Sequence, residues 1–405
     1  MRVLVVGSGG REHALAWRLS SSRGLTELHA APGNPGIATL ATCHPVAADD
    51  AEGLLALARF LAVDLVVVGP EAPLVAGAAD VLRHAGLTVF GPSAAAARIE
   101  GSKSFAKDVM AAAGVPTAAL LDSPRVPCVL KADGLAAGKG VVVCRTEAEL
   151  AAGIEVARGF GGQVVVEELL DGPELSLLAV CDGAEALALA PSRDFKRAFD
   201  GDEGANTGGM GSFAPVPDVG ADALDGLVET FIQPVLGELA RRGHPFVGTL
   251  FAGLMLTVDG PRVLEYNCRF GDPETQSVLP LVDGDLLAAL TAAASGSLRG
   301  VVLERVPGAA VTVALVAGDY PDSGDRGTTI EGIRDAEAEG ALVFHAGTAL
   351  NDGRLVTNGG RLLGVTATGP TLAAARSAAY AAADRIRIPG ARRREDIART
   401  DALVG

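Results

Sequence analysis

Over its first hundred residues the chain alternates short apolar runs with helix-like stretches, at 3–6, 11–19, 54–61, 65–68, 75–85 and 88–90. Short strands that are each followed by a helix cannot pair as hairpins; they form a parallel sheet with helices on its faces. In such a doubly wound sheet, ligands collect at the carboxyl ends of the strands. Two motifs fall there: Gly-Ser-Gly-Gly-Arg-Glu-His (7–13) and Gly-Pro-Glu-Ala-Pro-Leu (69–74). The first has two glycines of a dinucleotide fingerprint but carries Glu12 where the third belongs, so a dinucleotide site is excluded. A glycine turn that opens a helix still offers N–H groups and a positive dipole end to a phosphate, with Arg11 beside it. His13, on the helix, is expected to pack.

The pattern changes after Gly101. A helix over 103–113 ends at Gly114, and strands at 129–131, 141–144, 164–168 and 175–180 are joined by loops and one helix (147–158), an α+β unit of largely antiparallel character. A long helix around 221–241 precedes strands at 247–258 and 262–267. Pro307-Gly308 marks a boundary, beyond which lie strands near 310–316, 342–344 and 362–366 and a helix at 372–386. The expected domains are 1–101 (α/β), 102–306 with a small lid subdomain at about 117–180, and 307–405 (small α+β).

With 405 residues the chain is expected to hold two to four domains. A formal charge of −15 argues against nucleic acid or an anionic membrane as the main partner. The five cysteines are scattered without a Cys-x-x-Cys pair, as in a reducing compartment, and suggest neither a disulfide frame nor a zinc site. The N-terminal apolar stretch is too short for a secretory signal, and no run of apolar residues is long enough to span a membrane, so a cytoplasmic location is the expectation.

The segment Glu-Tyr-Asn-Cys-Arg-Phe-Gly-Asp-Pro-Glu (265–274) concentrates the chemistry. A strand period of two puts Glu265, Asn267 and Arg269 on one face and Tyr266, Cys268 and Phe270 in packing on the other. Oxygen donors two residues apart suit Mg²⁺, which shares its octahedron with water and nucleotide phosphates. Arg269 on the same face suits a second anion. Upstream, Gly-Leu-Ala-Ala-Gly-Lys-Gly (134–140) is no P-loop, because only three residues separate its first two glycines and Gly140 stands where Ser or Thr belongs. It reads as a glycine-rich hairpin able to fold over a triphosphate between Lys131 and Lys139. Residues 164–176 read as a strand, a polar turn and a second strand. The turn offers backbone groups to a base, and Glu174 offers a carboxylate to a ribose.

Taken in order, Lys103 on a helix, Lys131 before a glycine-rich loop, Glu167 and Leu170 followed by Glu174, and Glu265-x-Asn267 resemble the ATP-grasp carboxylate–amine ligases. More narrowly, the blocks at 7–14, 69–74, 101–103, 131–140, 206–211 and 267–276, with His-Ala-Gly-Thr (345–348) and Thr-Asn-Gly-Gly-Arg (357–361), are similar to the phosphoribosylamine–glycine ligase family, the glycinamide ribonucleotide synthetases. The resemblance implies a central ATP-grasp domain with a lid. It also implies ATP-dependent ligation of glycine to 5-phosphoribosylamine through a glycyl phosphate, a step of purine biosynthesis.

The residue roles follow from the same resemblance. Lys103, Lys131, Gly138, Lys139 and Gly140 would surround the ATP phosphates; the backbone of Glu167, Glu168, Leu169 and Leu170 would read adenine; Glu174 would hold the ribose. Glu265 and Asn267 would bind Mg²⁺ or Mn²⁺. Arg269, Lys131 and Asp272 form the implied catalytic set, although Asp272 and Glu274 stand nearer to a structural role than the metal pair. Asn206, Thr207, Gly208, Gly209 and Met210 would surround the substrates' amino groups, and Gly9, Gly10, Arg11 and Glu71 the ribose phosphate. The implied partners are small molecules alone, with no nucleic acid and no membrane. A monomer acting alone is expected, since no further enzymatic domain follows residue 405.

The chain also departs from the family pattern. Only residues 122–127 stand where a lid helix is usual, and 159–162 is short. Phe195 replaces the His of a Ser-x-Asp-His-Lys-Arg block and is assigned no chemistry. Ala205 replaces a Pro, and Ala398 a Gly.

Overall fold

The computed structural model describes residues 1–136, 140–160, 162–217 and 219–399. The N-terminal region holds β1 (Arg2–Gly7), α1 (Gly10–Ser20), β2 (Glu27–Pro32), β3 (Thr42–Cys43), α2 (Ala51–Leu61), β4 (Leu65–Val68), α3 (Glu71–Val75), α4 (Ala78–His84), β5 (Val89–Phe90) and α5 (Ala94–Gly101). Its five strands are parallel in the order β3-β2-β1-β4-β5, the doubly wound sheet expected from the alternation. Val3 to Val6 of the central strand are wholly buried, at roughly 1.5–3 kcal/mol per aliphatic side chain. β2 and β3 escape the apolar reading: β2 carries Glu27, His29 and Pro32, and β3 has two residues. The single helix expected over 75–85 is split at Gly77, which adopts φ +91.

Next come α6 (Lys103–Ala113), β6 (Cys128–Ala132), β7 (Val141–Cys144), α7 (Glu147–Gly159) and β8 (Val164–Glu168). Ser102 caps α6 by accepting from Phe105 N, and Gly114 ends it at φ 67. The antiparallel sheet β7-β6-β8 with α7 against it is the lid. The strand β9 (Glu174–Asp182) pairs with β10 (Ala186–Ala188) and with β15 (Val247–Thr257), outside the lid sheet. The lid therefore ends near Glu168 rather than near 180. Beside the 122–127 segment lies a groove of ≈ 560 Å³, lined among others by Leu121, Pro124, Leu130, Ile154 and Val166.

The base of the central domain is the sheet β10-β9-β15-β16, with β16 (Gly260–Asn267) at one edge. Between β10 and β15 lie β11 (Arg193–Asp194), β12 (Arg197–Phe199), β13 (Glu203–Asn206), β14 (Gly211–Ala214), α8 (Ala221–Leu227) and α9 (Gln233–Arg241). A π-helical turn (Val228–Ile232) interrupts the helix expected over 221–241. Then follow α10 (Glu274–Val278), β17 (Val282–Asp283), α11 (Leu286–Ala294) and β18 (Glu304–Arg305).

The last region contains β19 (Ala309–Val316), β20 (Asp325–Thr329), α12 (Ile333–Ala338), β21 (Leu342–His345), β22 (Thr348–Asn351), β23 (Arg354–Gly359), β24 (Arg361–Gly369) and α13 (Leu372–Ala383). Its main sheet is not self-contained. The order β11-β14-β19-β24-β21 shows two strands from the central segment completing it, so the boundary at Pro307 is crossed by backbone pairing. Among the described residues no helix is long and apolar enough to cross a membrane.

A buried guanidinium locks the C-terminal tail to the central segment. Arg394, 1% exposed, pairs with Asp396 (2.6 Å) and Asp202 (2.7 Å), donates to the Arg197 carbonyl, and lies over the Phe195 ring at 5.0 Å. Phe195 is buried beneath this guanidinium. Arg394→Met strands the buried Asp396 and is expected to cost on the order of 3 kcal/mol; urea denaturation checks this, and an unchanged midpoint would contradict it.

Candidate active site

Burial alternates as a two-residue period predicts, with Tyr266, Cys268 and Phe270 buried and Glu265, Asn267 and Arg269 partly exposed, but β16 itself ends at Asn267 and Cys268 and Arg269 lie in the bend beyond it. Burial raises the Glu265 pKa, but Lys196, Lys103, Lys131 and Arg269 together outweigh it and hold the carboxylate below its ordinary 4.5. Neither the Glu265 carboxylate nor the Asn267 amide takes a hydrogen-bond or ion-pair partner among the described residues. Two open oxygen donors, one kept ionised, fit a hard divalent cation. Among the described residues no three His, Cys, Asp or Glu side chains converge on a metal position. The pair suits an ion that takes its remaining ligands from phosphate and water.

The lysines arrive from different elements. Lys131, at the end of β6, is 5% exposed; its ammonium pairs with Glu167 Oε2 (2.7 Å) and donates to the Leu264 carbonyl (2.7 Å). Glu167 on β8 also pairs through Oε1 with Lys107 of α6 (3.0 Å), so its side chain holds lysines while its backbone lies in the strand. Glu168 pairs with Arg262 and accepts from Ala119 N. The backbone of Leu169 and Leu170 beyond β8 takes no hydrogen-bond partner among the described residues. Lys103 opens α6, where Asp133 from the lid loop accepts from Lys103 N and Ser104 Oγ (both 2.6 Å). Gly138 and Lys139 lie outside the described residues; Gly140 accepts from Ala132 N and closes the loop onto β6.

Arg269 sits in an anionic clamp. It pairs with Glu71 at the start of α3 and with Glu100 at the end of α5, both at 3.2 Å. Glu100 accepts from Cys268 N through its other oxygen. Burial raises the Glu100 pKa against Arg269, whereas Arg269 and then Arg11 overcome the same effect at Glu71 and lower its pKa. Arg11 turns inward. It is 6% exposed and bound to Glu12 (2.5 Å), Glu71 (3.8 Å) and the Phe270 carbonyl (3.2 Å). Glu12 also accepts from Gly9 N (2.6 Å) and fills the space over Gly7 and Gly69. These contacts correct two expectations. The Gly9 N–H is taken by Glu12, and the Arg11 guanidinium is buried with Nε and Nη1 engaged inside the protein rather than displayed on the glycine turn. Gly10 packs against the Gln276 amide, which leaves no room for a side chain. His13 is packed as expected, accepting from His345 N, and burial drives its pKa down to about 3.

The turn at 206–211 is held from the C-terminal region. Arg361 donates to the carbonyls of Gly208 and Asp272 and pairs with the Asp272 carboxylate (2.8 Å), while Tyr320 Oη accepts from Gly208 N. Asp272 also accepts from Gln276 Nε2 (2.7 Å). With both oxygens engaged, Asp272 fastens the turn to Arg361 and Gln276. Met210 is corrected too: its side chain is fully buried, and its N–H and carbonyl bind Phe195 and Ala314. Asn206 reaches toward the Val141 carbonyl at 3.5 Å, and Thr207 bonds the Lys196 carbonyl. Gly209 adopts φ +107 against Pro273, where a side chain would collide.

Sequence reasoning passed over Asp194, Lys196, Lys107, Glu100, Arg361 and Tyr320. Lys196 binds Glu174 at 2.6 Å, so the carboxylate meant for a ribose is already paired. Burial pushes the Asp194 carboxyl up to about 8 against the pull of Lys196, and its Oδ1 has no hydrogen-bond partner. The block at 192–197 was the available signal for Asp194 and Lys196. Glu274 is buried and accepts from Ser176.

A carboxylate–amide pair under the charge of three lysines, with a separate antiparallel lid sheet bonded to its strand through Lys131, defines an ATP-grasp enzyme. The match at residues 101–275 to the phosphoribosylglycinamide synthetase ATP-grasp (A) domain agrees. The same family's N domain matches residues 1–100 and its C domain 310–400. The chain is 50% identical to the phosphoribosylamine–glycine ligase of Streptomyces coelicolor, over 98% of this chain and 99% of that one. The crystal structure of the Thermotoga maritima phosphoribosylamine–glycine ligase superposes with a TM-score of 0.85 at 36% identity, covering 98% and 100% of the two chains. The biotin carboxylase domain of Hydrogenobacter thermophilus 2-oxoglutarate carboxylase, solved with MgADP and bicarbonate, gives a TM-score of 0.69 at 18% identity, over 96% of this chain and 91% of that one, a likeness of fold alone. The chain belongs to the phosphoribosylglycinamide synthetase family and is a ligase.

Because the folded-state pKa of Glu71 lies below its ordinary 4.5, the carboxylate's contribution to stability is present above pH 4.5 and lost as pH falls through the depressed value. The stability difference between wild type and Glu71→Gln, from urea denaturation, is expected to be largest near neutrality and to shrink below pH 4.5. A difference that grew on acidification would contradict the Arg269–Glu71 pairing.

Proposed function

We propose that the chain joins glycine to 5-phosphoribosylamine with ATP, through a glycyl phosphate, giving glycinamide ribonucleotide, ADP and phosphate in purine biosynthesis. The observation that carries the reading is the open Glu265–Asn267 pair, whose carboxylate is held ionised by Lys196, Lys103, Lys131 and Arg269. Glycine's carboxylate is a poor acyl donor. Its oxygen must first take the γ-phosphoryl group; the sugar amine then attacks the carbonyl carbon, and phosphate leaves as the amide forms. Such phosphoryl transfer needs positioning and charge neutralisation rather than a covalent nucleophile.

In this reading Lys103, Lys131, Lys139 and the backbone at Gly138 and Gly140 receive the phosphates, and Glu167 to Leu170 present backbone to adenine. Glu174, freed from Lys196, faces the ribose. Glu265 and Asn267 hold Mg²⁺ or Mn²⁺, which supplies charge neutralisation to the phosphates. Arg269, anchored by Glu71 and Glu100, offers its remaining donor surface to the glycine carboxylate and the acyl phosphate. Asn206 to Gly209 and Glu71 border the amine substrate. We place the enzyme in the cytoplasm, a reading supported by its free cysteines, and acting as a monomer on small molecules only.

ADP release from Mg-ATP is expected to require both glycine and freshly generated phosphoribosylamine; release with a different acid or amine pair, or nucleotide binding without turnover, would contradict the assignment. Glu265→Gln is expected to abolish metal-dependent turnover while circular dichroism stays unchanged, and full activity at ordinary magnesium would sink the metal assignment. Arg269→Ala is expected to lower the rate on the order of 10²-fold, as loss of an oxyanion donor does; an unchanged rate would reduce Arg269 to packing.

A further inference from the structure

Lys107 is a buried cation for which the reaction as described has no use. It lies one turn beyond Lys103 on α6 and is 6% exposed. An ammonium has three donors, and all three are taken within the protein: Glu167 Oε1 at 3.0 Å, Thr117 Oγ1 at 2.9 Å and the Ala118 carbonyl at 2.7 Å. Nothing remains for a ligand. Lys131 differs: Glu167 Oε2 and the Leu264 carbonyl account for two of its donors, and among the described residues the third is open.

The charges then matter more than the bonds. Glu167 is 2% exposed, and a carboxylate removed from water binds a neighbouring ammonium far more tightly than one at the surface. With Lys131 as its only partner, Glu167 would cancel that charge and compete with any phosphate for the ammonium. With Lys107 holding the other oxygen, two cations face one anion, and the group as a whole keeps one positive charge beside Glu265. We propose that Lys107 is a positioning residue: it takes up the charge of Glu167 so that Lys131 keeps its own, with one free donor, for the nucleotide phosphates. The proposal rests on the reading above that Lys131 faces those phosphates. It assigns Lys107 an electrostatic duty distinct from tying residues 117–118 to β8.

The test is titration calorimetry of the full chain with Mg²⁺ and a non-hydrolysable ATP analogue. Lys107→Met is expected to weaken binding at least about tenfold, because Lys131 is then neutralised by a buried partner. Removing the anion as well, in Lys107→Met/Glu167→Gln, is expected to bring affinity back to within about threefold of wild type, a recovery that restored charge allows and lost packing does not. In steady-state assays the KM for ATP rises in the single variant while the KM for glycine stays unchanged. Should Lys107→Met fail to fold, Lys107→Gln with and without Glu167→Gln gives the same comparison. Wild-type affinity in the single variant, or a double variant no tighter than the single, overturns the proposal. Lys131→Met separates the two layers. If it weakens binding while Lys107→Met does not, only the positioning role falls; if it leaves binding unchanged, the phosphate reading of Lys131 falls first.

Discussion

The Arg269 guanidinium, held between Glu71 and Glu100 at 3.2 Å from each, is the contact on which the rest of the site depends. Glu71 begins a helix of the parallel-sheet domain, Glu100 ends the last helix before the central domain, and Arg269 follows the strand that carries Glu265 and Asn267. One side chain thus ties the N-terminal domain to the strand that carries Glu265 and Asn267. Its cost is steep if broken, because Glu100 would be left buried with a raised pKa and only the Cys268 N–H for company. The same clamp turns Arg11 inward and lets Glu12 occupy the glycine turn, which is why the first strand ends in a packed junction rather than a dinucleotide site.

Charge balance accounts for the other positions. Glu265 stays ionised because four cations outweigh its burial, yet most of those cations are themselves restrained by carboxylates: Lys196 by Glu174, Lys131 by Glu167, Arg269 by Glu71 and Glu100. The site is therefore highly charged without being strongly of one sign. Lys131 and Glu167 come from the lid sheet, whereas Leu264 and Glu265 come from the base, so the Lys131–Leu264 bond ties the two layers. On the far side, Arg361 and Tyr320 hold the 206–211 turn, and strands β11 and β14 complete the C-terminal sheet, so the third region is built into the site's wall.

Much of this was legible in the sequence because strong periodicity and glycine punctuation coincide with element ends. The first strand, the helix from Lys103 to Gly114 and the two-residue alternation from Glu265 to Phe270 all follow from local patterns. What could not be read depends on partners distant in the chain. Lys107 looks like an ordinary helix lysine until Glu167 is seen beneath it, and Arg11 looks exposed until Glu12 and Phe270 claim its donors. Met210, inside a motif of small polar residues, gives no local sign that its side chain enters the core. β2 and β3 were missed because their pairing with the central strand, not their own composition, makes them strands. The extent of the lid was misjudged for a related reason: β9 follows β8 closely in sequence but pairs with β15.

The central claim is that Glu265 and Asn267 form the metal pair around which both substrates gather. Anomalous diffraction from crystals grown with Mn²⁺ and an ATP analogue tests it most directly. A peak at about 2.1–2.2 Å from a Glu265 oxygen and the Asn267 amide oxygen, in contact with phosphate, is the expected result. A peak held instead by Asp194 and Glu174, with Glu265 and Asn267 out of reach, would contradict it.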